Sequence, residues 1–180
     1  MKKILIILTV LAFVGCKDDK KSEDGQAQPQ QEQPAGNEFF RATLDVVAKK
    51  DDSFHLFYSE DGNFTEENSI WVEFKGSENS QKLNFDVPKD KLPSQIRIDF
   101  GLNKDQGDIK VNGLELSYYG KNVTITGADF FNYFRPNETN TQVDPQTQTL
   151  KAKDPNGNPF SGPSMYPLEA SIKAIEQITR

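Results

Sequence analysis

The sequence predicts an all-β fold, a two-sheet antiparallel β-sandwich with a helix packed on it at the C-terminus. Three observations carry this. Short segments between residues 39 and 125 alternate apolar and polar side chains with period 2, as strands with one buried and one solvated face do. Turn-rich segments separate them, and no run of helical periodicity intervenes, which argues against βαβ units. Finally, Leu168, Ile172, Ile175 and Ile178 follow at spacings of 4, 3 and 3, a one-sided apolar stripe.

The strands read as follows. Over 39–47, Phe40, Ala42, Leu44 and Val46 share one face, opposite Arg41, Thr43 and Asp45. Phe54, Leu56 and Tyr58 do so over 53–59, Ile70, Val72 and Phe74 over 70–75, and Leu83, Phe85 and Val87 over 82–87. Ile96, Ile98 and Phe100 continue the series over 96–101. In 109–118, Ile109 and Val111 change parity to Leu114, Leu116 and Tyr118 across Asn112-Gly113, which reads as a bulge or a hairpin turn. Val123 and Ile125 finish it. Seven or eight such strands form two packed sheets.

Beyond the strands, residues 127–134 read as a short helix or irregular turn that docks Phe130, Phe131 and Phe134 on the sandwich. Residues 135–163 are polar and dense in Pro, Gly, Asn and Asp, so they either wrap the sandwich or form a weak hairpin. The C-terminal helix is too short to be stable alone. It packs on its own domain or on a partner.

The N-terminus carries a different signal. Lys2 and Lys3 precede the apolar run 4–14, which is too short to span a bilayer and fits an export signal over residues 1–15. Cys16, the only cysteine, follows Gly15. This context resembles a bacterial lipoprotein signal, although Phe13 stands where that family has Leu, Val or Ile. The resemblance implies an acylated Cys16 and a bilayer anchor, each buried CH₂ contributing about 0.8 kcal/mol. Lys17, Asp18 and Asp19 resemble the Lys-Asp-Asp export signals of surface-exposed Bacteroidetes lipoproteins, which implies an outer-membrane, cell-surface location. A generic charged linker is the alternative. Residues 22–37 lack aromatic and β-branched side chains and extend the segment from Cys16 as a disordered tether, 16–37. The sequence thus divides into signal 1–15, tether 16–37, sandwich 38–134, wrapping segment 135–163 and helix 164–180.

The folded part is poor in catalytic chemistry. With 27 Asp and Glu against 21 Lys and Arg, the chain has a net charge of -6, which argues against nucleic acid as a partner. His55 is the only histidine, expected on a solvated face, with no second histidine or free thiol to complete a triad or a transition-metal site. No phosphate loop, nucleophile elbow or zincin motif is present. Residues 103–108 and 154–158 cluster oxygen ligands without the spacing of a calcium loop, and read as turns. The expectation is a protein with no catalytic residues, no metal and no cofactor.

Binding is better supported. Trp71, the only tryptophan, has the parity opposite Ile70, Val72 and Phe74, and so faces outward with Glu73. Phe57 and Tyr119 are likewise opposite their core-facing neighbours. An aromatic platform beside carboxylates suits a sugar ring and its hydroxyls. With Asp99 as a further carboxylate, the candidate ligand-binding set is Trp71, Glu73, Phe57, Tyr119 and Asp99. The competing reading is that these aromatics cover the C-terminal helix or the wrapping segment.

Strand count alone does not separate an immunoglobulin-like sandwich from a jelly roll. The stretch from Phe54 to Phe134, with Arg97-Ile98-Asp99 before a glycine turn and Tyr133-Phe134-Arg135-Pro136-Asn137 at its end, resembles jelly-roll modules of bacterial cell-surface polysaccharide proteins. The resemblance implies a jelly roll and a glycan partner. The function expected is a non-catalytic glycan-binding lipoprotein. A structural lipoprotein that binds an envelope protein is the alternative.

Overall fold

The computed structural model describes residues 37–180; the export signal, Cys16, Lys17, Asp18, Asp19 and the tether up to residue 36 lie outside them. Seven strands occupy the alternating segments: β1 (Arg41–Val47), β2 (Asp52–Ser59), β3 (Ser69–Phe74), β4 (Gln81–Asp86), β5 (Gln95–Asp99), β6 (Ile109–Tyr118) and β7 (Lys121–Thr126). A short helix α1 (Phe130–Tyr133) leads into β8 (Phe134–Pro136), β9 (Thr141–Asp144), β10 (Thr149–Ala152) and β11 (Ser164–Pro167), and α2 (Glu169–Thr179) closes the chain.

The strands form two antiparallel sheets packed face to face. One has the order β4-β1-β6-β10-β9, with β7 also paired to β6; the other is β3-β2-β5-β11-β8. Alternation in β1 is strict: Ala42, Leu44 and Val46 are buried while Arg41, Thr43, Asp45 and Val47 are half-exposed. The core between the sheets is rich in phenylalanine, with Phe54 edge-on to Phe74 and Phe100 at centroid separations of 4.6 and 5.2 Å. Such contacts contribute about 0.5–1.5 kcal/mol each beyond area burial. The parity change in β6 is a bulge. Its register against β1 shifts between Asp45 and Val46, which leaves Asn112 unpaired with β1 and free to donate from Nδ2 to Asp45 Oδ1 (3.0 Å) and Ser80 Oγ (2.9 Å).

Two boundaries expected from the sequence need correction. The sandwich does not end at residue 134: β8 and β11 extend one sheet, and the β9–β10 hairpin extends the other. Nor is 164–180 one helix, because Ser164–Pro167 is strand and α2 begins at Glu169. The four late strands are three or four residues long, too short for alternation to stand out from their turn-rich surroundings. They form because β5 and β6 present edges, to which Met165 and Leu150 pair opposite Ile98 and Ile109.

Helix α2 packs on its own domain, against β6 and β7 of one sheet, β5 and β11 of the other, and α1. It buries Ser171, Ala174, Ile175 and Ile178, so the stripe is rotated from the expected one and leaves Ile172 only half-buried. Burying an isoleucine contributes about 1.5–3 kcal/mol, enough to hold three turns that water alone would not. Phe130 and Phe134 stack at 5.0 Å in the same region and are fully buried.

Candidate functional site

The outer face of the β3-β2-β5-β11-β8 sheet carries the densest chemistry among the described residues. Strand β2 is buried on both faces from Phe54 to Ser59. Inward lie Phe54, Leu56 and Tyr58; outward lie His55, Phe57 and Ser59. The cross-strand register explains the outer burial, since Trp71 of β3 and Asp99 of β5 flank His55, and Ser69 and Arg97 flank Phe57.

Trp71 stacks on His55 with ring centroids 3.8 Å apart and planes 16° from parallel. Phe57 also lies against the imidazole, its ring centroid 4.0 Å away and its plane tilted by 47°. His55 is therefore 3 % exposed, where a solvated position was expected. Its Nε2 is buried without a hydrogen-bond partner among the described residues, and Glu66 Oε2 at 3.9 Å is too far to accept a bond. Burial holds the imidazole below its ordinary pKa; Glu66 opposes this and Arg97 adds to it. Trp71 keeps 49 % of its surface exposed. With His55 backing one side of the indole, the open side is a preformed flat platform.

Phe57 corrects a second expectation. It is 5 % exposed because the Arg97 guanidinium lies over its ring at 4.6 Å. Arg97 also faces Tyr166 at 4.8 Å, and Arg135 covers Tyr166 at 5.3 Å. Cations and rings thus alternate across β2, β5, β11 and β8, each contact contributing about 0.5–1 kcal/mol. Arg97 further donates a bidentate pair to Asp99, Nε to Oδ1 at 2.8 Å and Nη2 to Oδ2 at 2.6 Å. Burial raises the Asp99 pKa, and the Arg97 bonds and charge oppose that shift. Both groups are matched by each other, so Asp99 is a neighbour of the platform rather than a free carboxylate.

Beyond Trp71 along β3 lies Glu73, two residues on and on the same face, opposite Ser53. Here a cleft of about 580 Å³ opens, lined by Asp51, Asp52, Ser53, Glu73, Phe74 and Lys75. It is an open surface cleft rather than an enclosed cavity. Asp52 builds its wall: Oδ1 accepts from Ser53 N (2.9 Å) and Leu102 N (3.0 Å), and Oδ2 from Asn103 N (3.1 Å). Gly101 permits this, since at φ +84° it carries no Cβ that would collide with the Asp52 carboxylate. Lys75 donates to Asp51 Oδ2 at 2.8 Å, which lowers the Asp51 pKa and raises that of Lys75.

Tyr119 stands apart from this face. It occupies the two-residue β6–β7 turn with Gly120 in the other sheet, both with positive φ, as a type I′ hairpin turn requires. Its 60 % exposure follows from that turn position. The two loops weighed as calcium sites are local Asx turns: Asn103 Oδ1 accepts from Asp105 N and Asp154 Oδ1 from Asn156 N. Among the described residues no group of three or more His, Cys, Asp or Glu is placed to share a metal ion, and no helix is long and apolar enough to cross a membrane.

Strand parity places Trp71 and Glu73 on the outer face, but only the pairing of β2, β3, β5, β8 and β11 makes His55, Arg97, Arg135 and Tyr166 the framework of that face, with Glu66 beside it. One signal was available. Phe54-His55-Leu56-Phe57-Tyr58 is a nearly continuous run of rings and apolar groups, the mark of a strand covered on both faces. No protein-family model matches the chain, and no curated protein or solved structure matches it significantly.

Proposed function

We propose that this protein is a non-catalytic glycan-binding lipoprotein, acylated at Cys16 and held at the outer membrane, facing the cell exterior through the Lys17-Asp18-Asp19 signal. The observation that carries the binding reading is Trp71, half-exposed on a rigid imidazole backing beside a cleft rimmed by Glu73. A flat ring packs on the apolar face of a pyranose, and adjacent carboxylate, hydroxyl and amide groups take its hydroxyls. The jelly-roll topology belongs to the same proposal. It is supported by the repeated crossing of the chain between sheets, from β1 to β2, β3 to β4, β4 to β5 and β5 to β6.

Trp71 is the sole tryptophan, so emission excited selectively through tryptophan reads this site. Titration of the full chain with a panel of soluble polysaccharides is expected to give a saturable emission change with at least one. Calorimetry with that polymer should show binding lost in Trp71→Ala. A panel without any response would refute the glycan reading and favour a protein partner on the same face.

A further inference from the structure

We propose that the glycan taken by this face carries free amino groups, that is, unacetylated amino sugars. The inference rests on the glycan reading and narrows its ligand class. It starts from the charges around the platform. Each cation that lines the cleft or lies against the Trp71–His55–Phe57 stack is matched: Lys75 by Asp51 at 2.8 Å, and Arg97 by Asp99 at 2.6 Å. Three carboxylates are not. Glu73 makes no direct ion pair among the described residues; the nearby Lys75, which feels its charge, is hydrogen-bonded to Asp51 instead. Glu66 lies 3.9 Å from the His55 ring, too far for a hydrogen bond, and burial there disfavours the charged imidazole. Asp52 spends its oxygens on backbone N–H groups, which bring no countercharge.

The platform and cleft therefore present net negative charge beside an open indole face. A uronic or sulfated polymer meets like-charge repulsion there. A neutral polymer offers Glu73 hydroxyl donors but no charge to balance its own. An ammonium group answers both features, since Glu73 accepts its hydrogen bonds and the indole attracts cations. Trp71 and Glu73, separated by two residues of one strand, stand about 6.6 Å apart along it, close enough for one sugar residue and its substituent to touch both.

The test compares oligomers that share a ring and a linkage and differ in charge. Glucosamine oligomers, N-acetylglucosamine oligomers of equal length and polygalacturonate are titrated into the full chain in detergent, with Trp71 emission and calorimetry as readouts. The free-amine oligomer is expected to bind about threefold or more tightly than its acetylated counterpart, the scale of one exposed ion pair. That preference should shrink as salt rises and vanish in Glu73→Gln, while Trp71→Ala loses both oligomers. Equal or tighter binding of the acetylated oligomer or of polygalacturonate would overturn the amine inference and leave the glycan reading standing. Failure of all three, together with the neutral polymers of the wider panel, would overturn both.

Discussion

Arg97→Ala tests whether the cation–ring ladder organises the candidate face. The substitution removes guanidinium contacts at 4.6 Å to Phe57 and 4.8 Å to Tyr166, each contributing about 0.5–1 kcal/mol. It also strips Asp99, whose side chain is 25 % exposed, of a bidentate partner. A hydrogen bond to a charged group contributes about 1.5–3 kcal/mol, and partial exposure argues for the lower end. The expected loss is about 2–4 kcal/mol in urea unfolding followed by Trp71 emission. The loss should depend on pH. Burial already raises the Asp99 pKa against the opposition of Arg97, so the variant raises it further. A carboxyl with a raised native pKa costs stability when ionised, and the cost disappears as pH falls toward its unfolded value. The deficit should therefore shrink between neutral pH and about pH 4. Repeating the comparison with His55→Gln removes the imidazole as a second titrating group. Arg97→Lys keeps the charge but cannot stack on two rings and fork a carboxylate, so it should recover only part of the loss. A deficit below about 1 kcal/mol, or one that is flat with pH, would refute the argument.

Three further outcomes are expected. The lowered pKa of His55 means that its contribution to stability is present above the unfolded value and lost as pH falls from about 6.5 through the native pKa. The difference between wild type and His55→Gln should follow that course in urea unfolding, and parallel pH profiles would exclude it. Ile175→Ala removes a fully buried side chain at the junction of α2 with both sheets and should cost about 2–5 kcal/mol, whereas Ile172→Ala, half-buried, should cost much less; similar midpoint shifts in denaturant would contradict the packing described. Growth with a labelled fatty acid should label the wild-type chain and not Cys16→Ala, and equal labelling would end the lipoprotein reading.

Local sequence determined a good deal of this protein. Period 2 placed β1 to β7, because a strand's alternation is written in consecutive side chains and needs no partner to be read. The bulge at Asn112 was legible for the same reason: a change of parity within one apolar run requires an extra residue. Trp71 and Glu73 were assigned correctly to an outer face by parity alone.

What parity cannot say is what stands on that face. His55 and Phe57 point outward as expected and are nonetheless buried, because the register sets Trp71, Arg97 and Asp99 beside them. Tyr166 and Arg135 join the ladder only because β11 docks on β5, more than sixty residues later in the chain. The short strands β8 to β11 have too little intrinsic signal to be read locally; edges built by other strands specify them. The sequence alone therefore determined which side chains face outward. Only the tertiary structure decided which of those stay open, since covering one strand's face takes side chains from its neighbours. Trp71 remains half-open because it lies on β3, at the edge of its sheet, with His55 beside it on one side only.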